Sequence, residues 1–314
     1  MRLPKPRGVL SEWVVARLAG SEAATAAPGA GSLDDEAVSL WTLHELAYRD
    51  FEDARLDVGG DAELLVVRHR LEAALEERLR SRWAGSDAGP GDVPAALEAL
   101  VAADDGPSLA DHVRRHADRD QVLELLRQRS VYHLKESDPT AWVVPTLPVR
   151  AKAALVELQY DEYGAGDPNR LHAHLFARGM QAVGLRPEYG AYVDDALVET
   201  LEVNNALSLF GMRRRLRGAA VGHLAAFEMT SSLPSRKLAQ GLDRLGLAGP
   251  MSAYYDEHVE ADAVHEHLAA QEICGTLAED EPDQVDSILF GAFTCLDLEA
   301  RFARAMFEAW GVAA

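Results

Sequence analysis

Cysteine is scarce in this sequence: Cys274 and Cys295 are the only two in 314 residues. Two cysteines in so long a chain make no disulfide framework, and no Cys-x-x-Cys pair is available for zinc binding or redox chemistry. Both are therefore predicted to be small buried residues on helices.

Long apolar runs are also missing. No uncharged apolar stretch reaches the length of about 18 residues that a membrane-spanning helix needs. The first seven residues, MRLPKPR, are basic, but the apolar segment of a signal peptide does not follow them. These absences predict a cytoplasmic protein that has no membrane partner.

The chain is poor in positive charge, since 31 lysines and arginines face 51 aspartates and glutamates, for a net charge of −20. Such a charge repels phosphate backbones and argues against a nucleic-acid partner. One dense basic run, RRRLR at 213–217, is predicted to cover a helix as a solvated face. Binding of a small anion there is the alternative.

Alternating strand patterns and repeats of fixed period are absent too. Apolar residues instead recur every three or four positions, as in residues 62–83, which is typical of helices that pack through one face. The fold is therefore predicted to be all-α. Gly- and Pro-rich segments divide the chain into a flexible tail over 1–34 with a short helix near 10–18, N-terminal helices over 35–125 that pack on the core, and the core itself over 126–314.

The most informative segment is YDEHVEADAVHE at 255–266. His258, Asp262 and His265 stand at i, i+4 and i+7, which places them on one stripe of a helix. Two imidazoles and a carboxylate on one line suit a first-row transition metal such as iron. The alternative is a solvated helix face whose histidines bind nothing.

Other helices contribute further candidate ligands. Glu228 lies in VGHLAAFEMT, a stretch without other acidic or basic charge, where a carboxylate needs a proton, a partner or a metal. Glu162 ends one predicted helix, and His172 opens the next after the helix-breaking segment GAGDP. Glu136 lies just before a predicted break at Asp138. Each of the last three, taken alone, is an ordinary cap or surface residue.

Taken in order, these residues resemble the haem-oxygenase-like diiron oxidase and oxygenase superfamily, also called iron-containing redox enzymes. Its pattern is a Glu and a His on the first core helix, a lone Glu on the second, and His-x3-Asp-x2-His on the third. The residues that match this pattern are Glu162, His172, Glu228, His258, Asp262 and His265. Glu136 occupies the place of a further carboxylate that some N-oxygenating members carry.

The resemblance covers roughly residues 126–274 and departs from the pattern at one point. The Gly- and Pro-containing segment between Glu162 and His172 is long for a continuous helix. A ferritin-like architecture is disfavoured, because its Glu-x-x-His motif does not occur in the sequence.

The resemblance implies a haem-oxygenase-like helical bundle that binds two iron ions per chain, with manganese as the alternative metal. It implies no catalytic residue beyond the metal ligands and no organic cofactor. The expected partners are O2, a small organic substrate and an external electron donor, and the flanking helices would allow a homodimer. The implied reactions are N-oxygenation, hydroxylation, desaturation and oxidative C–C cleavage.

Residues beside the predicted ligands are given supporting roles. His133 is a candidate partner of Glu136, and Tyr160 and Tyr163 are candidate partners of the carboxylate between them in the chain. Asp161 is expected to be a solvated charge.

Two other functions stay open. One is a metal-free, thiaminase-like enzyme on the same scaffold, which would need a nucleophilic cysteine. The other is a non-catalytic helical protein that binds a small ligand. The substrate of an oxidase stays open as well: a fatty acid would need a long apolar channel, and an amino acid would need a paired cation and anion.

Overall fold

The computed structural model describes residues 1–21, 26–55 and 60–313, apart from the side chains of residues 260–263. Within this part there is no strand, which confirms the all-α prediction. The first seven α-helices are α1 (Val9–Leu18), α2 (Leu33–Glu45), α3 (Ala62–Arg80), α4 (Val93–Ala102), α5 (Leu109–Arg115), α6 (Arg119–His133) and α7 (Asp138–Ala141).

The second half of the chain contains the longest helices. They are α8 (Val149–Glu162), α9 (His172–Ala182), α10 (Val198–Met212), α11 (Arg217–Arg244), α12 (Pro250–His267), α13 (Thr276–Asp280) and α14 (Val285–Ala309). A π-helical segment, Leu268–Gly275, joins α12 to α13. The sequence predicts one helix through this region, and the wider π turn was not expected.

The N-terminal region begins with the predicted short helix, which is confirmed as α1. Leu10 and Leu18 on this helix are fully buried, and Asp35 at the start of α2 accepts hydrogen bonds from the backbone N–H groups of Leu10 and Ser11 at 3.0 and 2.7 Å. Residues 9–18 are thus fixed against α2. The division of the chain into tail, N-terminal helices and core stays a prediction.

The centre of the bundle is α11, which packs against α5, α12 and α14. Glycines permit its close contact with α14. A Cβ atom added to Gly222 would lie 1.9 Å from the carbonyl oxygen of Ile288, and one added to Gly291 would lie 2.0 Å from that of Ala219. Glu228, further along the same helix, is also buried.

The sequence, with a proline at position 234, predicts separate helices near 213–231 and 235–245. This prediction is wrong, because α11 continues through Pro234. A proline inside a helix removes one backbone hydrogen bond and costs about 3 kcal/mol. Packing beyond the proline offsets this cost: Ala239 and Leu242 are buried, and Gly241 lies directly against Val113 of α5.

The segment between α8 and α9 is interrupted, as the sequence indicates, but it folds back tightly. Gly164 has a φ of 77°, and a Cβ atom there would lie 2.6 Å from the backbone nitrogen of Leu171. Only glycine fits this turn. Arg170 then forms an ion pair with Glu257 of α12 at 2.8 Å. The turn therefore brings the end of α8 and the start of α9 together beside α12.

The basic run at 213–217 lies along α3. Arg213 donates a hydrogen bond to Glu72 at 2.7 Å, and Arg215 donates one to Glu76 at 2.7 Å. Carboxylates of the protein therefore already neutralise two guanidinium groups of this run.

Two further predictions concern burial and membranes. Cys274 and Cys295 are free thiols that are essentially fully buried on helical segments, as predicted. In the part of the chain that the structure describes, no helix is both long and apolar enough to cross a membrane.

Candidate metal centre

Six of the seven predicted ligands lie in two clusters inside the bundle, and all six are at least nine-tenths buried. In each cluster, one ligand atom from each of three residues lies within 4.8 Å of the others. The first cluster is Glu136, His172 and His258, and the second is Glu162, Glu228 and His265. The seventh, Asp262, belongs to residues 260–263 and lies outside the described side chains.

Glu162 lies between the two clusters. Its Oε2 atom is 3.1 Å from Nδ1 of His172, and its Oε1 atom is 3.5 Å from Nδ1 of His265. Ser137 donates a hydrogen bond to Oε2 at 3.0 Å. One carboxylate thus presents one oxygen to each cluster, which is the arrangement of a bridging ligand. The break between α8 and α9 produces it, because the tight turn returns His172 to the end of α8.

His265 is oriented by two neighbouring residues of α8. Its Nε2 atom lies 2.9 Å from Oδ2 of Asp161, and its Nδ1 atom faces Glu162 and Glu228, at 3.5 Å from each. The expectation that Asp161 is only a solvated charge is therefore wrong. A carboxylate behind an imidazole in this way fixes the ring and would select Nδ1 as the nitrogen that is available to a metal ion.

His258 is oriented by its own helix. Its Nδ1 atom lies 2.8 Å from the backbone carbonyl oxygen of Tyr254, one turn earlier on α12. Since a carbonyl oxygen only accepts, Nδ1 carries the proton. The other ring nitrogen, Nε2, is then available as a neutral donor in the first cluster.

Glu136 has one occupied and one free oxygen. Its Oε2 atom accepts a hydrogen bond from the Tyr254 hydroxyl at 2.8 Å and lies 2.9 Å from Nδ1 of His133. This confirms the predicted contact with His133. The role of Tyr254 was not predicted, although it lies one turn before His258 on the same stripe of α12.

The predicted partners of Glu162 on its own helix are wrong. Tyr160 is 61% exposed and points away from the centre. Tyr163 donates its hydroxyl hydrogen bond to Asp138 at 3.0 Å. Both tyrosine side chains point in a different direction from that of Glu162 around the end of α8. The spacing in the sequence alone does not predict these directions.

The two carboxylates that face the first cluster differ in pKa. Burial raises the pKa of Glu136 to about 7, and the nearby imidazoles only partly oppose this. Burial also disfavours the charged form of Glu162, but the contact with His172 and the charges of His258 and His265 outweigh it and lower its pKa to about 2. Glu162 is therefore an anion at neutral pH.

Nearby carboxylates raise the pKa values of two of the imidazoles. Burial alone would lower the pKa of His172, but Glu162 raises it to about 9. Burial likewise opposes the charge of His265, while Glu228, Glu162 and Asp161 raise its pKa to about 9. In the absence of a metal ion, protons supply the positive charge that the carboxylates require.

The residues present fit iron. The Oε1 atom of Glu136 is fully buried and has no hydrogen-bond partner among the described residues. Such an orphaned polar atom is rare and costly, and a metal ion would satisfy it. A space of about 20 Å³ lies between Glu136, Glu162 and Glu228. Carboxylates and imidazoles are donors that iron accepts.

A known protein family and a curated relative are similar to this chain. The sequence profile of a family described as "Iron-containing redox enzyme" matches residues 123–300. A curated relative, nitrosourea synthase from Streptomyces achromogenes subsp. streptozoticus, is 28% identical over 171 residues, which are 54% of this chain and 36% of the relative. The chain thus matches only about a third of that relative's length.

Solved structures of a CADD-like protein of unknown function from Nostoc punctiforme are also similar. The two crystal structures have TM-scores of 0.49 and 0.48 and sequence identities of 15% and 14%. Each match covers 76% of this chain and 97% or 95% of the other. The family profile spans more than half of the chain and includes all seven predicted ligands. The chain therefore belongs to the haem-oxygenase-like family of iron-containing redox enzymes.

Proposed function

We propose that the protein is an O2-activating oxidase or oxygenase that uses two non-haem iron ions and acts on a small organic substrate. The observation that carries this proposal is the position of Glu162, whose two oxygens face different buried clusters at 3.1 and 3.5 Å from their imidazoles. A carboxylate shared in this way is a feature of dinuclear centres in helical proteins.

Each ligand has a distinct task in this proposal. Glu136, His172 and His258 would hold one ion, Glu228 and His265 would hold the other, and Glu162, which lies between the two clusters, would serve both. Bound ferrous iron supplies electrons for the reduction of O2. The protein contributes a buried site that excludes water, and few enough ligands per ion to leave coordination positions open.

Supporting residues keep this geometry fixed. Asp161 holds the proton on Nε2 of His265, and the backbone of Tyr254 holds the proton on Nδ1 of His258. The imidazoles therefore present defined nitrogens to the ions. An external donor must restore the electrons after each turnover.

Oxidation at nitrogen is the reaction that we would test first. Nitrosourea synthase is named for a product that contains an oxidised nitrogen, and it shares 28% identity with this chain over the matched region. Hydroxylation, desaturation and oxidative C–C cleavage are the other reactions included in the proposal.

The metal-free alternative is disfavoured by the state of the cysteines. Burial raises the pKa of the Cys274 thiol and that of the Cys295 thiol, so neither is a ready thiolate nucleophile.

The proposal is tested by loading the protein with ferrous iron under anaerobic conditions, measuring iron per chain, and then mixing with O2 while the visible spectrum is recorded. We expect close to two irons per chain and an absorption change that requires both iron and O2. Failure to bind iron, together with no response to O2, would contradict the proposed function.

A further inference from the structure

Helix α8 carries a row of exposed apolar side chains on the face opposite its buried residues. Val149 is 84% exposed, Val156 is 47% exposed and Tyr160 is 61% exposed. Ala153, between them, is exposed as well. No other helix in the described part of the chain exposes three large apolar side chains. Single exposed apolar residues are normal, but a continuous row of them on one helix indicates a contact surface.

The spacing of these four residues is typical of a stripe through which two helices pack. Counted from Val149, they stand at i, i+4, i+7 and i+11, which places them along one line of the helix. This apolar stripe is about 17 Å long at the rise of an α-helix. The other face of α8 packs on the core through Leu155 and Leu158, which are fully buried. Helix α8 therefore has two apolar faces, and the described chain covers only one of them.

The apolar stripe has a positive residue on one side and a negative residue on the other. Lys152 and Glu157 lie on opposite sides of it, and neither forms an ion pair in the part of the chain that the structure describes. Arg150, on the same side as Glu157, is already paired with Glu279 and Asp280 of α13 at 2.8 and 2.5 Å. One side of the stripe therefore offers a free cation, and the other side offers a free anion.

We propose that a second copy of this chain packs on the apolar stripe, with the two α8 helices parallel and related by a two-fold axis. Each residue of the stripe then meets its own counterpart. Lys152 of one copy lies beside Glu157 of the partner subunit, and symmetry repeats this ion pair on the other side. This surface differs from the flanking helices to which the resemblance assigns a homodimer. The inference does not depend on the proposed function.

The flanking charges favour both this occupant and this orientation. An antiparallel pair would bring the two Lys152 sides together and the two Glu157 sides together, and like charges across a helix interface repel. A parallel pair brings opposite charges together on both sides. Two copies that each carry a net charge of −20 repel each other at long range. The attraction must therefore come from the stripe and its two flanking ion pairs, which a second copy supplies by symmetry.

The contact is small, and this sets the expected strength of the dimer. A specific interface of standard size buries about 1,600 Å² in total, and a single stripe of about 17 Å on each copy lies at the low end of that range. We therefore expect a reversible dimer with a dissociation constant of about 10–100 µM.

The first test is analytical ultracentrifugation of the full chain at about 1–500 µM, a range that spans the expected dissociation constant. We expect the fraction of dimer to rise with concentration, and the variant Val156→Ser with Tyr160→Ser to stay monomeric. The matched control is Leu65→Ser with Val66→Ser on α3, which removes side chains that are 51% and 64% exposed and should dimerise like the parent. A monomeric parent at every concentration, or equal dimerisation of the α8 variant, overturns the inference.

A cysteine at the start of the stripe tests the parallel orientation. Residue 149 meets its counterpart only in a parallel pair, because an antiparallel pair separates the two positions by most of the stripe. A disulfide needs Cα atoms within about 7 Å of each other, and the native Cys274 and Cys295 are buried. We expect oxidised Val149→Cys to form a covalent dimer on non-reducing electrophoresis, and Val66→Cys on α3 to remain monomeric. Absence of the covalent dimer overturns the parallel arrangement.

Charge reversal tests the flanking ion pairs. Lys152→Glu or Glu157→Lys alone replaces two attractions by two repulsions and should weaken the dimer by about tenfold. Both changes together restore opposite charges across the interface and should recover the affinity of the parent. A double variant as weak as the single variants overturns the proposed pairing. The iron content of all these variants should equal that of the parent, because none of the changed residues is a candidate ligand.

Discussion

In the part of the chain that the structure describes, histidine and glutamate side chains are buried together at the candidate metal centre and also between α2 and α3, and the two places differ in what neutralises the carboxylate. Away from the metal centre, His44 lies 3.2 Å from Glu72, and Glu72 also accepts hydrogen bonds from Arg68 at 2.9 Å and Arg213 at 2.7 Å. In the metal centre, the contacts of Glu162 are imidazoles and a hydroxyl.

This difference separates a structural network from the candidate metal ligands. Arginine is permanently charged, so it neutralises a carboxylate and donates hydrogen bonds to it without any metal ion. Within the described part of the chain, no lysine or arginine pairs with Glu136 or Glu162. Their positive charge must come from protons or from a metal ion. Buried acidic groups that lack arginine partners are therefore the informative ones.

The sharpest test of the comparison replaces one carboxylate in each place. Glu162→Gln should remove most of the iron from both clusters, because one carboxylate contacts both. Glu72→Gln should keep the iron and lower the free energy of unfolding by about 1.5–3 kcal/mol, the worth of a hydrogen bond to a charged group. Iron analysis and chemical denaturation of both variants measure this. Equal iron loss in the two would break the comparison.

Replacing one imidazole in each place gives the next largest effect. His265→Ala should lower the iron content by about one ion per chain without unfolding the protein, because only the second cluster loses its imidazole. His44→Ala is the matched control and should keep its full iron content. Unchanged iron in the His265 variant would contradict the assignment of the second cluster.

A smaller effect is expected from the carboxylate behind His265. Asp161→Asn should weaken iron binding by about 10–100-fold, as is typical when the partner of a metal-bound histidine is changed. Glu157→Gln, an exposed position on the same helix, should leave the affinity unchanged. Competition with an iron chelator measures both affinities, and an Asp161 variant that binds as tightly as the parent would reduce Asp161 to a surface charge.

The smallest effect concerns protonation in the iron-free protein. Glu162 raises the pKa of His172 to about 9 in the folded state, whereas burial lowers the pKa of His44. The raised pKa contributes stability that is complete below about pH 6.5, the unfolded value. This contribution is lost as the pH rises through about 9. Histidine resonances followed by NMR should show His172 titrating near pH 9 and His44 only below its ordinary value.

Much of the fold and most of the candidate site followed from sequence. The helices could be predicted from the spacing of apolar residues, which is a local property. The order of the candidate ligands along the chain could be predicted from the resemblance to the family. The assignment of the six clustered residues as metal ligands stays a proposal, although the structure brings them together. The continuity of α11 through Pro234 was missed because it depends on packing against α5, which no local pattern contains.

The supporting residues show where sequence reasoning ends. Asp161 and Glu162 are adjacent on α8 and project in different directions, yet the two nitrogens of one imidazole reach both. That geometry depends on how α12 docks against α8. Tyr254 was more accessible to prediction, since it extends the stripe of His258 by one turn. A tyrosine that shares a helix stripe with candidate ligands could therefore be predicted to contact them.

The single carboxylate between the two clusters has a thermodynamic consequence. If each cluster holds an ion, as proposed, the ion in the first cluster would displace the proton from His172 and fix the position of Glu162, which the second ion would also require. The two binding equilibria would then be linked, and each ion would change the affinity for the other by the same factor. A ferrous ion titration will depart from two independent sites. Positive cooperativity means that the ordering of Glu162 outweighs the repulsion between the ions, and negative cooperativity means the reverse.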